Sequence, residues 1–378
     1  MRLLALAISD FRNLQKLELT PSAHATIAVG QNGQGKTNLL EAIYFLATLK
    51  PLRAARLSHL IRSGASEGRA SAQFLLGGAQ REISVTILDG SRQAFVDGKR
   101  ATSLEDYFGG VSVVAFTPDD LAVVKGAPQR RREFLDRAVF NRFPVFLKES
   151  RAYSRALKSR NRLLKEGAEP PYLEVYDEAL ARLGARIWTR RRALLQELSP
   201  RAEKAFAEIG RSEESARFQY LVSHLQLDFD GETESQMEII LRAALRDRTD
   251  RDRERGFTSV GPHSDDLEIQ IGRYVARSYA SQGQQRALVL AWKIAEIENL
   301  RDALGFLPLL LLDDVSSELD PERNSFLMAY LARSGAQVFL TTTAASLVAA
   351  AAGPDTLWCE MSAGQLQPLA LPHPERGA

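Results

Sequence analysis

Gly30-Gln31-Asn32-Gly33-Gln34-Gly35-Lys36-Thr37 satisfies the pattern G-x-x-x-x-G-K-[ST], and its surroundings decide the fold. The apolar stretch Ala25 to Val29 before it reads as a strand. The stretch from about Lys36 to Leu49 after it places Leu39, Leu40, Ile43, Leu46 and Ala47 on one face of a helix. Strand, glycine-rich loop and helix start together make a phosphate cradle. Glycines let the loop curl until successive N–H groups face the anion, and the helix N-terminus adds its positive dipole end. Lys36 is expected to meet the β- and γ-phosphates of ATP, and Thr37 to coordinate Mg²⁺.

Leu309 to Leu312 followed by Asp313 and Asp314 reads as a buried parallel strand ending in two carboxylates, the second acidic motif of P-loop ATPases. Asp313 is expected to hold the metal through its water shell. Asp314, aimed differently off the strand end, is expected to orient or deprotonate the attacking water. Ser317-Glu318-Leu319-Asp320 follows directly. Asp320 either lies along a dimer contact, as the D-loop of ABC-type ATPases does, or caps the helix starting at Pro321, and both can hold together.

Upstream, Ser281-Gln282-Gly283-Gln284 opens a helix through Ala287, Leu290, Ile294 and Ile297 and resembles the ABC signature motif, about thirty residues before the acidic strand. The P-loop already cradles its own nucleotide. A second anion site made of a Ser hydroxyl, a Gly N–H and a helix N-terminus is therefore useful only towards a γ-phosphate held by another subunit. This predicts a homodimer with two ATP molecules sandwiched between its chains. Ser281 as a plain helix cap is the competing reading.

Composition narrows the partners. Lys plus Arg total 49 against 47 Asp plus Glu, a net charge of +2, so any DNA contact must come from local charge asymmetry. The single cysteine, Cys359, excludes an intramolecular disulfide framework and a four-cysteine zinc site. The N-terminal MRLLALAISDFRN reads as a strand rather than a signal peptide, and the longest apolar run, Phe306 to Leu312, is too short to span a bilayer. The expectation is a soluble, cytoplasmic protein.

With 378 residues and 45% apolar side chains, the chain can bury a large core. Alternation at Leu3 to Ile8 and Leu14 to Leu19, strand-like runs at Ala72 to Leu76, Ile83 to Leu88 and Val111 to Phe116, and turns at Asp89-Gly90 and Asp97-Gly98 make the first part strand-rich. Arg130 to Asn141, Val145 to Lys165 and Tyr172 to Ile209 are helix-periodic, and strand signal returns near Phe218 to Ser223. The acid–Arg alternation of Asp247 to Arg255 reads as a solvated helix end or loop. The expected organisation is a discontinuous α/β head with a mixed sheet, residues 1–120 and 256–378, around a mainly helical insertion, residues 121–255. Sustained a/d heptads are missing, so no long coiled coil is expected.

ISDFRNL near the start, GQNGQGKTNLLEAIYFLATLK, FTPDDLAVVKGAPQRRREFLD, GPHSDDLEI, SYASQGQQRALVLAWKIAE and LLLLDDVSSELD together resemble the bacterial RecF family, relatives of the Rad50 and SMC ATPase heads, over nearly the whole chain. The resemblance implies that Arg12 and Asn13 contact nucleotide and that the basic cluster Lys50, Arg53 and Arg56 lies where related heads bind duplex DNA. Two more clusters, Arg130 to Arg132 and Arg151, Arg155, Lys158, Arg160 and Arg162, could line a DNA groove or be solvated faces. It further implies an ATP-driven dimer that recognises gapped DNA, recruits RecR with RecO to help load RecA, and is reset by slow DNA-stimulated hydrolysis.

The chain departs from that pattern in places. Ser264 stands where the family usually has Arg after Gly-Pro-His, leaving His263 and Asp265 as candidates. No Gln ends Val111 to Phe116, so Asp119 or Asp120 either does the work of a Q-loop or caps the next helix. Thr341, Thr342 and Thr343 stand where a transporter has its switch histidine, so any γ-phosphate sensor would be a hydroxyl. A P-loop phosphotransferase and an ABC transporter's ATPase subunit are the alternatives.

Overall fold

The computed structural model describes residues 1–53, 56–103, 107, 111–210, 214–225, 227 and 229–369. The last stretch of the expected head, 370–378, lies outside the described residues. The chain opens with β1 Arg2–Phe11, β2 Leu14–Leu19, β3 Ala25–Val29, α1 Lys36–Thr48, β4 Glu67–Leu76, β5 Ala79–Leu88, β6 Ser91–Val96, β7 Lys99–Arg100, β8 Val113–Phe116 and α2 Pro118–Leu121. It continues with α3 Pro128–Arg142, α4 Phe146–Lys165, α5 Pro170–Gly210, β9 Ala216–Leu221, α6 Glu234–Asp247, α7 Thr249–Arg255, β10 Asp266–Ile271, β11 Tyr274–Val275, α8 Ala276–Tyr279 and α9 Gln282–Leu304. The described chain ends with β12 Leu309–Asp313, α10 Val315–Glu318, α11 Pro321–Ser334, β13 Val338–Thr342, β14 Leu357–Ser362 and β15 Gln365–Pro368.

Two compact units result, one from Met1–Asp120 with the chain from Leu300 onward, the other from Leu121–Asn299. In the first, a mixed sheet runs in the order β15-β14-β3-β13-β12-β8. All its pairs are parallel except the β14–β15 edge. The central strands β12 and β13 are buried at every position, as their unbroken apolar runs require of parallel strands covered on both faces. Since β13 separates β3 from β12, the loop leaving β3 and the acids ending β12 meet on the carboxyl edge of the sheet, where open α/β sheets hold their ligands.

An antiparallel sheet in the order β2-β1-β4-β5-β6-β7 completes this unit. Its β5–β6 and β6–β7 hairpins turn at Asp89-Gly90 and Asp97-Gly98, with φ of 50°, 68°, 50° and 74°, the left-handed pairs that a type I′ turn demands. Helix α1 packs against β12 and β13 on one side and β4 and β5 on the other. Sandwiched in this way it buries Ala42, Tyr44 and Phe45 as well as the single face expected from periodicity. Each large apolar side chain buried there contributes about 1.5–3 kcal/mol.

The second unit is helical around a small antiparallel sheet, β11-β10-β9. Here the structure corrects the expected boundary at residue 256: the stretch from Gly256 to Asn299 belongs to this unit and not to the head. The reason is pairing and packing. β10 lies beside β9 in register from Asp266↔Leu221 to Ile271↔Ala216, and Trp292 of α9 packs at a tilt against both Phe134 and Phe218, with ring centroids 5.4 and 5.1 Å away.

The charged stretch Asp247 to Arg255 is also less bland than its alternation suggests. Within α7, Asp252 is fully buried and binds the fully buried Arg160 at 2.8 Å, and Arg160 binds Asp177 at 2.6 Å. Arg131 is likewise buried, held by both carboxylate oxygens of Asp266 at 2.7 Å. Neither arginine is available to a DNA groove.

Candidate nucleotide-binding site

The loop between β3 and α1 keeps its shape through close backbone approach. A side chain at Gly35, where φ is 114°, would be strained and would meet Asn13 Oδ1 at 2.7 Å, while one at Gly30 would collide with the Met361 carbonyl oxygen. Asn13 donates through Nδ2 to the Gln34 carbonyl at 3.2 Å and accepts from Asn38 at 2.7 Å, which ties the β1–β2 turn to the loop. The β14–β15 turn grips the same residue: Gly364 N–H donates to the Gln34 carbonyl at 2.8 Å and Ala363 N–H to its Oε1 at 2.6 Å. Gln34, Ala363 and Gly364 therefore fix the loop from the C-terminal hairpin, a role with no signal in the sequence because the contacts span most of the chain.

Lys36 is buried, and its Nζ donates to the carbonyls of Gly30 at 2.6 Å and Gln31 at 3.0 Å. Burial pulls its pKa below the usual lysine range, opposed by the charges of Asp314 and Asp313. Thr37 donates to Asp313 Oδ1 at 2.7 Å, and Thr341, fully buried at the end of β13, donates to the same oxygen at 3.1 Å. Arg53 brings Nη2 to 3.2 Å from Asp313 Oδ2 and 3.3 Å from Thr37 Oγ1.

Asp314 sits in the left-handed region with φ of 50°, its N–H donating to Thr341 Oγ1 at 3.0 Å. The Oδ1 of Asp314 is buried and takes no hydrogen bond. Burial raises its pKa, opposed by the hydrogen bond from Ser317 and the charge of Lys36.

Thr37 and Asp313 fit the expected magnesium ion. Hydroxyl and carboxylate oxygens are the hard donors that ion takes, and a cationic guanidinium already stands on the same two oxygens. Among the described residues no group of three or more His, Cys, Asp or Glu could hold a metal. A site with so few protein ligands leaves its remaining positions to water and phosphate.

The other predicted residues divide. Arg12, beside the loop at φ of 56°, is engaged by the buried Glu41 at 2.8 Å. Glu41 belongs to no motif, although a lone acid inside the apolar LLEAIY run signals a buried partner. Asp320 caps α11, accepting from Arg323 N–H at 3.1 Å. Asp120 accepts from Thr117 N–H at 3.0 Å, the capping option of the two considered.

Ser281 belongs to the second unit and forms a capping box: its Oγ accepts from Gln284 N–H at 3.2 Å and its N–H donates to Gln284 Oε1 at 2.9 Å. His263, partly buried, and Asp265, fully buried, are both engaged within the second unit. His263 is held between Tyr153 OH at 2.7 Å and the Thr258 carbonyl at 2.9 Å. Asp265, fully buried, accepts from Trp188 Nε1, Tyr220 OH and Ser223 N–H at 2.6, 2.8 and 2.8 Å.

A glycine-rich loop, a buried lysine, and a threonine and two aspartates on the carboxyl edge of a parallel sheet define a P-loop ATPase head of the ABC type. Residues 2–361 match the family described as RecF/RecN/SMC N terminal domain. The chain is 68% identical over 368 residues to the DNA replication and repair protein RecF of Myxococcus xanthus, covering 97% of each chain. It is 54% identical to that of Anaeromyxobacter sp. strain Fw109-5, covering 98% of this chain and all of the relative. It is similar to the solved recombination mediator protein RecF-ATPrS in the RecFOR pathway, with a TM-score of 0.89, 31% identity and 98% of each chain covered. An SMC head bound to the C-winged helix domain of ScpA, 18% identical with a TM-score of 0.56, shares the fold. The chain belongs to the RecF family. Among the described residues no helix is long and apolar enough to cross a membrane.

Proposed function

We propose that this chain is a recombination mediator of the RecFOR pathway that binds Mg²⁺–ATP at the Gly30–Thr37 loop, dimerises around it, and in that state holds duplex DNA next to single-stranded gaps. The observation that carries the reading is the convergence of Lys36, Thr37, Asp313 and Asp314 on one sheet edge, with Thr37 and Asp313 only 2.7 Å apart. Relatives described as RecF with ATP and ATPrS in that pathway support it. The family match and these relatives favour it over the phosphotransferase and transporter readings.

In this scheme the loop N–H groups and Lys36 bind the phosphates, and Thr37 and Asp313 hold the metal, which when bound neutralises charge between the β- and γ-phosphates. Asp314 takes the proton of the attacking water, its raised pKa suiting it to the work of a base. Ser281, Gln282, Gly283 and Gln284 reach the γ-phosphate of the second chain, where the Ser281 hydroxyl can exchange its cap for a phosphate oxygen. Dimerisation joins two weakly basic surfaces, Lys50 and Arg56 among their residues, into one groove. RecR and RecO are the partners this role implies.

Linkage makes the coupling reciprocal: ATP strengthens DNA binding by the factor with which DNA strengthens ATP-dependent dimerisation. Titration of gapped duplex with ATP, ADP and no nucleotide tests the scheme. Tight binding with ATP alone is expected, and equal affinity in all three conditions contradicts it.

A further inference from the structure

Three hydrogen bonds meet at the Asp313 carboxylate. Its Oδ1 takes the hydroxyls of Thr37 and Thr341 at 2.7 and 3.1 Å, and its Oδ2 takes the Arg53 guanidinium at 3.2 Å. The Asp313 side chain is 4% exposed, and a carboxylate so placed needs a counter-charge. Lys36, the other cation nearby, has its ammonium on the carbonyls of Gly30 and Gln31. The counter-charge in hydrogen-bond contact is therefore Arg53.

Arg53 also contacts Thr37 Oγ1, at 3.3 Å. A magnesium ion bound to that hydroxyl would sit at about 2.1 Å from it. The guanidinium and the ion would then share a space a few ångströms across, both positive and both drawing on the same two residues. Repulsion between like charges at that separation disfavours joint occupancy.

The main chain is arranged for exchange. Arg53 N–H donates to Glu41 Oε1 at 3.3 Å, and Glu41 is a buried residue of α1 pinned by Arg12, so the backbone at residue 53 is tethered. Its side chain, by contrast, is 54% exposed and can swing into solvent without moving that tether.

We infer that Arg53 is the resident counter-cation of the nucleotide-free site and that the metal, entering with ATP, displaces it from Asp313 and Thr37. This deepens the proposed nucleotide-binding role and rests on it. Two consequences follow that a solvated arginine would not produce. Metal-free ATP retains part of its affinity, because Arg53 keeps Asp313 neutralised beside the phosphates. Magnesium improves ATP affinity by less than it otherwise would, because part of its attraction goes into evicting the guanidinium.

The test is the ratio of ATP dissociation constants in EDTA and in Mg²⁺, measured by calorimetry on the full chain and on Arg53→Gln, with thermal melts of both. A half-exposed ion pair of this kind is expected to move the ratio by about two- to fivefold. Arg53→Gln should bind metal-free ATP more weakly, bind Mg²⁺–ATP as well or better, and, in manganese electron paramagnetic resonance without nucleotide, bind Mn²⁺ more tightly. An unchanged ratio with unchanged Mn²⁺ affinity overturns the exchange. So does a variant that loses more affinity for Mg²⁺–ATP than for metal-free ATP, since Arg53 would then act alongside the metal. A full chain that binds no ATP under either condition instead removes the nucleotide-site reading itself.

Discussion

Two sets of buried charges, one in each unit, are built on opposite plans. In the second unit Arg160 is closed in by Asp177, Asp252, Thr258 and the Leu245 carbonyl, and Arg191 by Asp136, Tyr220 and the Pro262 carbonyl. Every partner but Thr258 lies in a helix, a strand or a turn, and Thr258 is held by Asn161 Oδ1 at 2.8 and 2.7 Å. At the carboxyl edge of the first unit the pairing is looser: Lys36 rests on loop carbonyls, Asp313 is neutralised by a half-exposed arginine, and Asp314 keeps a buried oxygen without a hydrogen bond. A closed polar network specifies one structure, whereas an incomplete one stores unmet interactions that a ligand can satisfy. The contrast separates charges that hold the fold from charges that wait for chemistry.

The largest effect should come from Asp314→Asn. Removing the proposed base is expected to slow ATP hydrolysis by about 10²–10⁴-fold while ATP binding persists, as read by single-turnover phosphate release. Protonation adds a sharper arm. Because burial raises the Asp314 pKa, the protein loses active base at a higher pH than an ordinary carboxylate near 3.9 would allow, so the acid limb of the hydrolysis profile should lie above that value. The sign for stability is the reverse of a salt-bridged acid. The folded state holds the proton more tightly, so Asp314 weighs against folding once pH rises past its unfolded value, and the Asn variant should be no less stable at neutral pH.

Arg160→Leu tests the other plan. It strands Asp177 and Asp252 in the core, and a loss of about 3–5 kcal/mol is expected in urea unfolding, with ATP affinity per folded molecule unchanged. Lys36→Met should do the converse: ATP affinity falls by roughly 10- to 100-fold with little change in the unfolding midpoint. Should Lys36→Met unfold the protein while Arg160→Leu leaves it intact, the distinction between the two charge sets collapses.

The smallest effect concerns His263. Burial lowers its pKa, so the folded state binds fewer protons than the unfolded one, and stability present above the ordinary histidine value of about 6.5 is lost as pH falls below it. His263→Gln should flatten that part of the stability profile as pH falls below the ordinary histidine value, read by urea unfolding at a series of pH values.

Local chemistry made much of the head legible. The P-loop declares itself within eight residues, and four leucines before two aspartates announce a buried parallel strand whatever else surrounds them. What stayed hidden depends on partners far away in sequence. Arg160 and Arg131 look like members of basic clusters, and only the fold brings them Asp252 and Asp266. The same holds for Arg53, whose contact with Asp313 joins residues 260 positions apart. Strands β6 and β7 carry little signal of their own because Ser91 to Val96 lacks a clean apolar alternation, though the Asp-Gly turns on either side of β6 are plain. The expected end of the insertion failed for a related reason: a strand such as β10 cannot tell from its own residues which sheet it will join.

The central claim is that ATP bound by one chain is completed by the Ser281 helix end of a second. Sedimentation velocity of the full chain and of Ser281→Arg, each with and without Mg²⁺–ATP, measures this directly. A nucleotide-dependent dimer is predicted for the unmodified chain, with the variant binding ATP yet staying a monomer. A variant that still pairs when ATP is added would contradict the account.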